Sequence, residues 1–282
     1  MIAITGATGN LGRLIVTELM DHVKPDEVAV VVRSPQKAIP LAPPGIAIRQ
    51  GDYDDYASLL AAFDGVETLM FISNSDVPKR MVQHQNVVNA ARAAGVKHVV
   101  YTSYIDIDGA GFLAQTHKAS EEIIKGAGFA YTFLRNNLYM DIYVKEVQVA
   151  MESGVYRSAN KEAGVTYVTR GDIARTAAAV LSSSGHENRA YALAGPAVVR
   201  PADFAEIATE ISGRPVAFEQ ISWEELPEYY VGRGMPPPMI EVGVMLEKLI
   251  STNVLAVESE DIANLTGKPP VDFRSYALQE LC

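Results

Sequence analysis

The chain has 282 residues, 48% of them hydrophobic, and carries 24 Lys and Arg against 34 Asp and Glu, for a formal charge of −10. So much apolar side chain excludes disorder throughout, and the length fits one large α/β domain or a domain with a smaller lobe. The acid excess argues against a general nucleic-acid binder, the lone Cys282 allows neither an internal disulfide nor a cysteine metal site, and no apolar run reaches the ~18–20 residues of a membrane span. With no basic-then-apolar leader pattern at the start, a reducing, cytoplasmic setting is expected.

Residues 1–5 are predicted as a first strand, and Leu11, Leu14, Ile15 and Leu19 recur behind it at helical spacing. A second strand covers 27–32 and a third 46–50; Leu59, Leu60 and Phe63 then mark a helix capped by Asp54 or Asp55. A fourth strand at 67–72 leads to a helix bearing Val82, Val87, Val88 and Ala91, which Gly95 stops. A fifth at 97–101 precedes a helix with Ile123 and Ile124, and a sixth covers 130–134. Alternating strands and helices, with strands apolar on both faces, predict a Rossmann-like, doubly wound parallel sheet.

Beyond residue 135 the alternation weakens. Helices are predicted at 139–151, 172–181, 202–211, 223–231, 239–250 and 273–281. The segment Thr169–Asp172 has the pattern of a capping box with Asp in place of Glu. Short strands at 165–168, 190–193 and 216–220 are predicted to extend the sheet or form a small cap. Residues 232–238 (GRGMPPP) form a stiff linker, and the acidic run at 258–261 starts a further helix. The expected division is a cofactor domain over 1–135 and a C-terminal substrate lobe over 136–282 that partly completes the same sheet.

The sharpest signal is the turn Gly6-Ala7-Thr8-Gly9-Asn10-Leu11-Gly12, directly after the first strand. In G-x-x-G-x-x-G, Gly6 allows a tight turn, Gly9 lets backbone approach a pyrophosphate, and Gly12 lets helix and strand pack closely. The helix opening there turns its free N–H groups and dipole toward phosphate. Twenty-one residues past Gly12 stands Arg33, where an acidic ribose ligand would mark NAD. An arginine there matches the 2′-phosphate of NADPH instead, with Lys37 one turn on as added charge. Asp52 and Tyr53, after the third strand, are candidates for the adenine pocket, although Asp52 serves equally as a helix cap. Ile72 and Ser73 end the fourth strand beside the adenosine ribose and pyrophosphate. Thr102 and Tyr104, after the fifth, belong near the nicotinamide ribose and substrate.

These residues resemble the NmrA-like atypical short-chain dehydrogenases/reductases. GATGNLG (6–12), VVRSPQKA (31–38), GDYDDYASL (51–59), AARAAGVKHVVYTS (90–103), YTFLRNNLYMD (131–141) and GHENRAYAL (185–193) carry the likeness. Within that family the likeness is to its NADPH-dependent quinone-oxidoreductase and triphenylmethane-reductase branch. The resemblance implies that Asn136 and Asn137 pass close to the nicotinamide and that Tyr104 and Tyr139 help form the substrate pocket. It implies neither flavin nor metal, and a monomer or homodimer.

No tyrosine has a lysine four residues later, so the Tyr-x-x-x-Lys pair of ordinary short-chain dehydrogenases is absent. His117 stands where many NmrA-like reductases keep a lysine, and histidine there matches the quinone- and dye-reductase branch. With an ordinary pKa of about 6.5 it is a candidate proton or hydrogen-bond donor to the acceptor. Lys118 points about 100° away on a helix and ranks below it. His84 reads more readily as a solvated helix face than as part of the cleft. Met235, Met239 and Met245 read as core filling or a mobile pocket wall, and Trp223, Tyr229 and Tyr230 as intralobe packing or a cap on an aromatic ligand. The expected activity is hydride transfer from NADPH to a quinone or related electron-poor aromatic. A dinucleotide-binding redox sensor without turnover is the alternative. A nucleotide-sugar isomerase is disfavoured by the missing Tyr-x-x-x-Lys pair.

Overall fold

The computed structural model describes all residues except 41, 107 and 110, and the side chain of residue 112. In chain order come β1 (Ile2–Thr5), α1 (Asn10–Leu19), β2 (Val28–Val32), α2 (Pro35–Ala38), β3 (Ala47–Gln50), α3 (Tyr56–Ala62), β4 (Thr68–Phe71), α4 (Arg80–Ala94), β5 (His98–Tyr104), α5 (Phe112–Gly126) and β6 (Ala130–Asn136). There follow α6 (Met140–Ser153), β7 (Val155–Ser158), α7 (Arg170–Ser182), β8 (Arg189–Leu193), α8 (Pro201–Ser212), β9 (Ala217–Gln220), α9 (Leu226–Gly232), α10 (Pro237–Ser251), α11 (Asp261–Thr266) and α12 (Phe273–Leu281). The chain forms two compact units. The first holds residues 1–136, 170–193 and 260–268, so α7, β8 and α11 return to it; the second holds the rest.

The first unit is built on one seven-stranded sheet in the order β3-β2-β1-β4-β5-β6-β8, parallel at every pairing. Parallel neighbours cannot be joined by hairpins, so each connection crosses a face of the sheet. Both faces are therefore covered, and β2 (VAVVV) is buried at every position. On one side α3, α4 and α5 pack side by side over Leu59, Phe63, Phe71, Val99, Tyr101 and Phe133. On the other, α7 packs against both α1 and α11. Because all strands run one way, their C-terminal ends share one edge. The order reverses between β1 and β4, and an open α/β sheet makes its ligand crevice at such a reversal.

The second unit carries a two-stranded parallel pair, β7 with β9, and packs α6 against α8 and α12. An aromatic cluster fills it: Tyr156 stacks on Phe204 at 4.9 Å, and Phe273 meets Phe204 at 5.1 Å and Tyr167 at 5.3 Å. The Arg233 guanidinium grips Glu146 of α6 with both terminal nitrogens, at 2.6 and 3.0 Å.

Several expectations are corrected. β5 runs on to Tyr104 and β6 to Asn136, because those two residues pair with each other. Residues 165–168 make only isolated bridges, from Val165 to Val199 and from Val168 to Tyr139. The partner of β9 is β7, a four-residue strand hidden directly behind Gly154 and a helix end. Asp55, not Asp54, caps α3, accepting from the amides of Ala57 and Ser58. Leu14 and Val82 are exposed rather than inward-facing, and so are Met239 and Met245, which therefore fill no core. The linker is shorter than 232–238, since Pro237 and Pro238 already belong to α10, where proline needs no N–H partner. Among the described residues no helix is long and apolar enough to cross a membrane.

Candidate active site

The turn after β1 explains its glycines. Gly6 sits at φ +63°, a left-handed conformation that favours glycine, and its carbonyl accepts from the Gly9 amide at 2.9 Å. A Cβ at Gly12 would lie 2.7 Å from the Ala7 Cα and overlap the Gly6 carbonyl oxygen. Helix α1 is therefore seated directly on the turn. Its N-cap is Gly9, with no side chain capping it. The amides of Asn10, Leu11 and Gly12 thus fall in the first turn of a helix, where no intrahelical acceptor exists. Thr8 is half-buried and Asn10 exposed, the latter accepting from Arg13 at 3.1 Å.

The neighbouring strand ends bring the next candidates to the same edge. Arg33 follows β2 and is exposed, and among the described residues no hydrogen bond or ion pair engages its guanidinium. Lys37 is exposed on α2. Asp52 does not cap α3; its carboxylate instead accepts from the Asp54 amide at 3.1 Å. The Tyr53 hydroxyl lies 2.8 Å from the Ile72 carbonyl, to which it donates, and 2.6 Å from the Thr5 hydroxyl. It ties the ends of β1 and β4 together, and the Tyr53 carbonyl accepts from the Asn86 side-chain amide at 2.9 Å, which leaves the ring for a ligand. Ile72 lies against Gly6, where a Cβ would meet its own at 3.5 Å. The Ser73 amide donates to the Thr102 hydroxyl at 2.8 Å.

At the end of β5 the site becomes aromatic and buried. The Tyr101 hydroxyl is 2.8 Å from Nδ1 of His117. The His117 ring lies nearly parallel to that of Tyr104, with centroids 6.1 Å apart. The Tyr104 hydroxyl is buried and has no hydrogen-bond partner among the described residues. Burial pushes the Tyr104 phenol well above its ordinary range, with Asp106 adding to it, so its proton stays in place. His117 is brought inward because 117, 120, 121 and 124 share one face of α5, and all four are buried.

His84 belongs to the same cluster and is fully buried, which corrects its reading as a solvated helix residue. It packs edge-on to Phe71 at 4.7 Å and Tyr101 at 5.7 Å. The spacing held the signal, since 84, 87, 88 and 91 form one buried stripe of α4. The Ser120 hydroxyl lies 2.8 Å from His84 Nδ1 and donates to the Thr116 carbonyl at 2.7 Å, an arrangement in which Nδ1 donates to the Ser120 oxygen. The buried Arg80 guanidinium donates to the Thr116 hydroxyl and the Asn74 carbonyl. Burial first, and Arg80 second, push both His84 and His117 down to about 3. His117 is therefore a neutral imidazole at physiological pH and not a proton donor titrating near 6.5. Beside it, buried Glu121 accepts from Ser103 at 2.7 Å and from two nitrogens of Arg135. Lys118 faces away and pairs with Asp108 at 2.9 Å.

Asn136 ends β6, buried, and its carbonyl accepts from the Ile105 amide. Asn137 is committed elsewhere. Its amide donates to the Thr166 hydroxyl and the Leu255 carbonyl, both at 2.9 Å, and its oxygen accepts from the Leu138 amide. That geometry gives Asn137 a structural task within the second unit. Tyr139, half-buried in the second unit, is the N-cap position of α6.

An all-parallel sheet, a glycine turn seated under its first helix and a reversal of strand order beside that turn define a Rossmann-like dinucleotide-binding protein. A family model described as NAD(P)H-binding matches residues 6–184, and the chain belongs to that family. Quinone oxidoreductase 2 of Escherichia coli is 38% identical over 270 residues, covering 95% of this chain and 94% of that protein. The crystal structure of the Escherichia coli NADPH-dependent quinone oxidoreductase with NADPH superposes at a TM-score of 0.95 and 36% identity, over 100% of both chains. The Citrobacter sp. triphenylmethane reductase with NADP(H) gives 0.92 and 38% identity, over 100% of this chain and 99% of that one. The fold class and the family likeness expected from the sequence are borne out.

Two outcomes follow from this geometry. Gly12→Ala should cost about 1–3 kcal/mol of stability in urea titration, because the helix must lift off the turn, and should weaken NADPH binding with it. Stability should also fall with pH below about 6.5, as the unfolded chain binds protons at His84 and His117 that the folded chain refuses until about 3. Each histidine contributes a slope of about 1.4 kcal/mol per pH unit in that window. His117→Asn should remove one such contribution from the slope measured by denaturation at pH 6 and pH 5.

Proposed function

We propose that the protein is an NADPH-dependent oxidoreductase that passes hydride directly to a quinone or a related electron-poor aromatic, such as a triarylmethane dye, with no flavin or metal. The observation that carries this reading is the buried Tyr104–His117 pair at the end of β5, on the edge that also holds the glycine turn. It offers a flat aromatic wall and neutral donors, but no titrating acid–base group of the Tyr-x-x-x-Lys kind. The names borne by the Escherichia coli and Citrobacter relatives support the same chemistry.

The residues present fit a dinucleotide. Gly6, Thr8, Gly9, Asn10, Leu11 and Gly12 hold the pyrophosphate against uncapped amides. Arg33, with Lys37, receives the 2′-phosphate, since no carboxylate stands there to repel it. Asp52, Tyr53, Ile72 and Ser73 line the adenosine side, and Thr102 and Asn136 the nicotinamide side. Bound there, NADPH would supply two electrons and a hydrogen as hydride; a quinone reduced in this way becomes the hydroquinone monoanion, and one proton from water completes the hydroquinone. Tyr104 and His117 face the acceptor and donate hydrogen bonds to the oxygen where negative charge develops. A quinone or a cationic dye is already electrophilic, so positioning supplies much of the rate.

Incubation with NADPH and either menadione or a cationic triarylmethane dye should consume NADPH. Tight NADPH binding without turnover on either acceptor would instead favour the redox-sensor alternative. Arg33→Ala should weaken NADPH by roughly 10- to 100-fold, the worth of a charge-assisted hydrogen bond, while NADH affinity changes little. Equal losses for both cofactors would remove Arg33 from the 2′-phosphate.

A further inference from the structure

We propose that Tyr101 is a positioning residue for His117: its hydroxyl holds Nδ1 as an acceptor, which fixes the Nε2–H tautomer and presents that N–H to the oxygen of a bound quinone. The role depends on the reductase reading above; the tautomer rests on the hydrogen-bond geometry together with a phenol that keeps its proton.

Tyr101 is completely buried, and His117 is only 8% exposed. Among the described residues, the 2.8 Å contact between hydroxyl and Nδ1 is the hydrogen bond that the His117 ring makes. The Tyr101 ring is held by Phe133 edge-on at 6.3 Å, by His84 edge-on at 5.7 Å and by Phe71 at 5.2 Å. The hydroxyl therefore has one place to be. It carries one proton, and burial pushes the phenol up to about 12, so that proton is not lost. The Ser120 and Ser73 hydroxyls also interact with it. Ser120, however, sends its own proton to Thr116 and already accepts from His84. The lone pair of an imidazole nitrogen is the most basic acceptor in reach.

With Nδ1 taken, Nε2 is the ring nitrogen left for a ligand, and it carries the hydrogen. The opposite arrangement, in which Nδ1–H donates to the tyrosine oxygen, would turn a lone pair toward a developing oxyanion. A proton relay inward is not supported either. The line from Tyr101 through Ser120 ends at His84, whose Nε2 is buried with no hydrogen-bond partner among the described residues. His117 thus acts as a fixed neutral donor, and the tyrosine behind it sets which nitrogen donates.

Nitrogen-15 spectra of histidine-labelled protein test the tautomer with no turnover needed, the His117 signal being assigned by its loss in His117→Ala. The unmodified protein should show protonation at Nε2, and Tyr101→Phe should shift the ring toward a mixture. Protonation at Nδ1 in the unmodified protein overturns the proposal. The kinetic arm compares acceptors, because a triarylmethane cation takes hydride at carbon and develops no oxyanion. Tyr101→Phe should lower the ratio of menadione kcat to dye kcat by about tenfold, part of the roughly 100- to 1,000-fold that losing a whole oxyanion donor costs. Equal losses on both acceptors overturn the positioning role, and so does a further fall in that ratio when Tyr101→Phe is added to His117→Ala. If the unmodified protein turns over neither acceptor, the reductase reading fails and the spectra alone decide whether Tyr101 sets the ring.

Discussion

The contact on which the site depends is the seating of α1 on the turn after β1. The Gly6 carbonyl and the Ala7 Cα occupy the space that any side chain at position 12 would need. That absence of a Cβ lets the helix axis point its first amides at the edge of the sheet. It also fixes the level of the crevice, because Gly6 in turn lies against Ile72 at the end of β4. The hydroxyls of Thr5 and Tyr53 then stitch β1 and β4 together across the reversal of strand order. A flat dinucleotide needs such a rigid floor, and here the floor is backbone and strand ends rather than mobile side chains.

Next to the floor stands a cluster whose chemistry comes from burial. His84, Tyr101 and His117 are packed among Phe71, Phe133 and Tyr104, and Arg80 reaches in from α4 to bond Thr116 of α5. A cationic guanidinium nearby and the loss of water both disfavour a second positive charge. The imidazoles are kept neutral, the phenols keep their protons, and the surroundings supply oriented donors in place of acids. That set serves a reaction whose acceptor is already electrophilic. It would serve alcohol–ketone exchange poorly, where an alkoxide must be given or relieved of a proton in step with hydride.

The parallel sheet and the glycine turn were legible because each depends on local pattern: strand apolarity and spacing in a tight turn. What escaped was set by tertiary contact. β7 is four residues long and has meaning only beside β9, 62 residues on at the Arg157–Glu219 pairing. His84 looks polar and exposable until the stripe formed by 84, 87, 88 and 91 is seen to be buried entire. Asn137 sits in the NN pair that the family likeness assigned to the cofactor, yet its amide is spent on Thr166 and Leu255, the latter 118 residues away. No spacing rule announces a partner at such a distance.

The charge of −10 takes on a different weight against this geometry. A chain so acidic should repel a ligand with several phosphate charges, yet repulsion between exposed charges fades beyond a Debye length of about 8 Å at physiological salt. What counts is the field inside that radius. At the glycine turn it comes from uncapped helix amides, and after β2 from Arg33 and Lys37. Two nearby acidic residues are engaged, Asp54 by Gln83 and Lys79 and Glu121 by Arg135 and Ser103. The protein can therefore remain acidic while keeping a locally positive edge for an anionic cofactor.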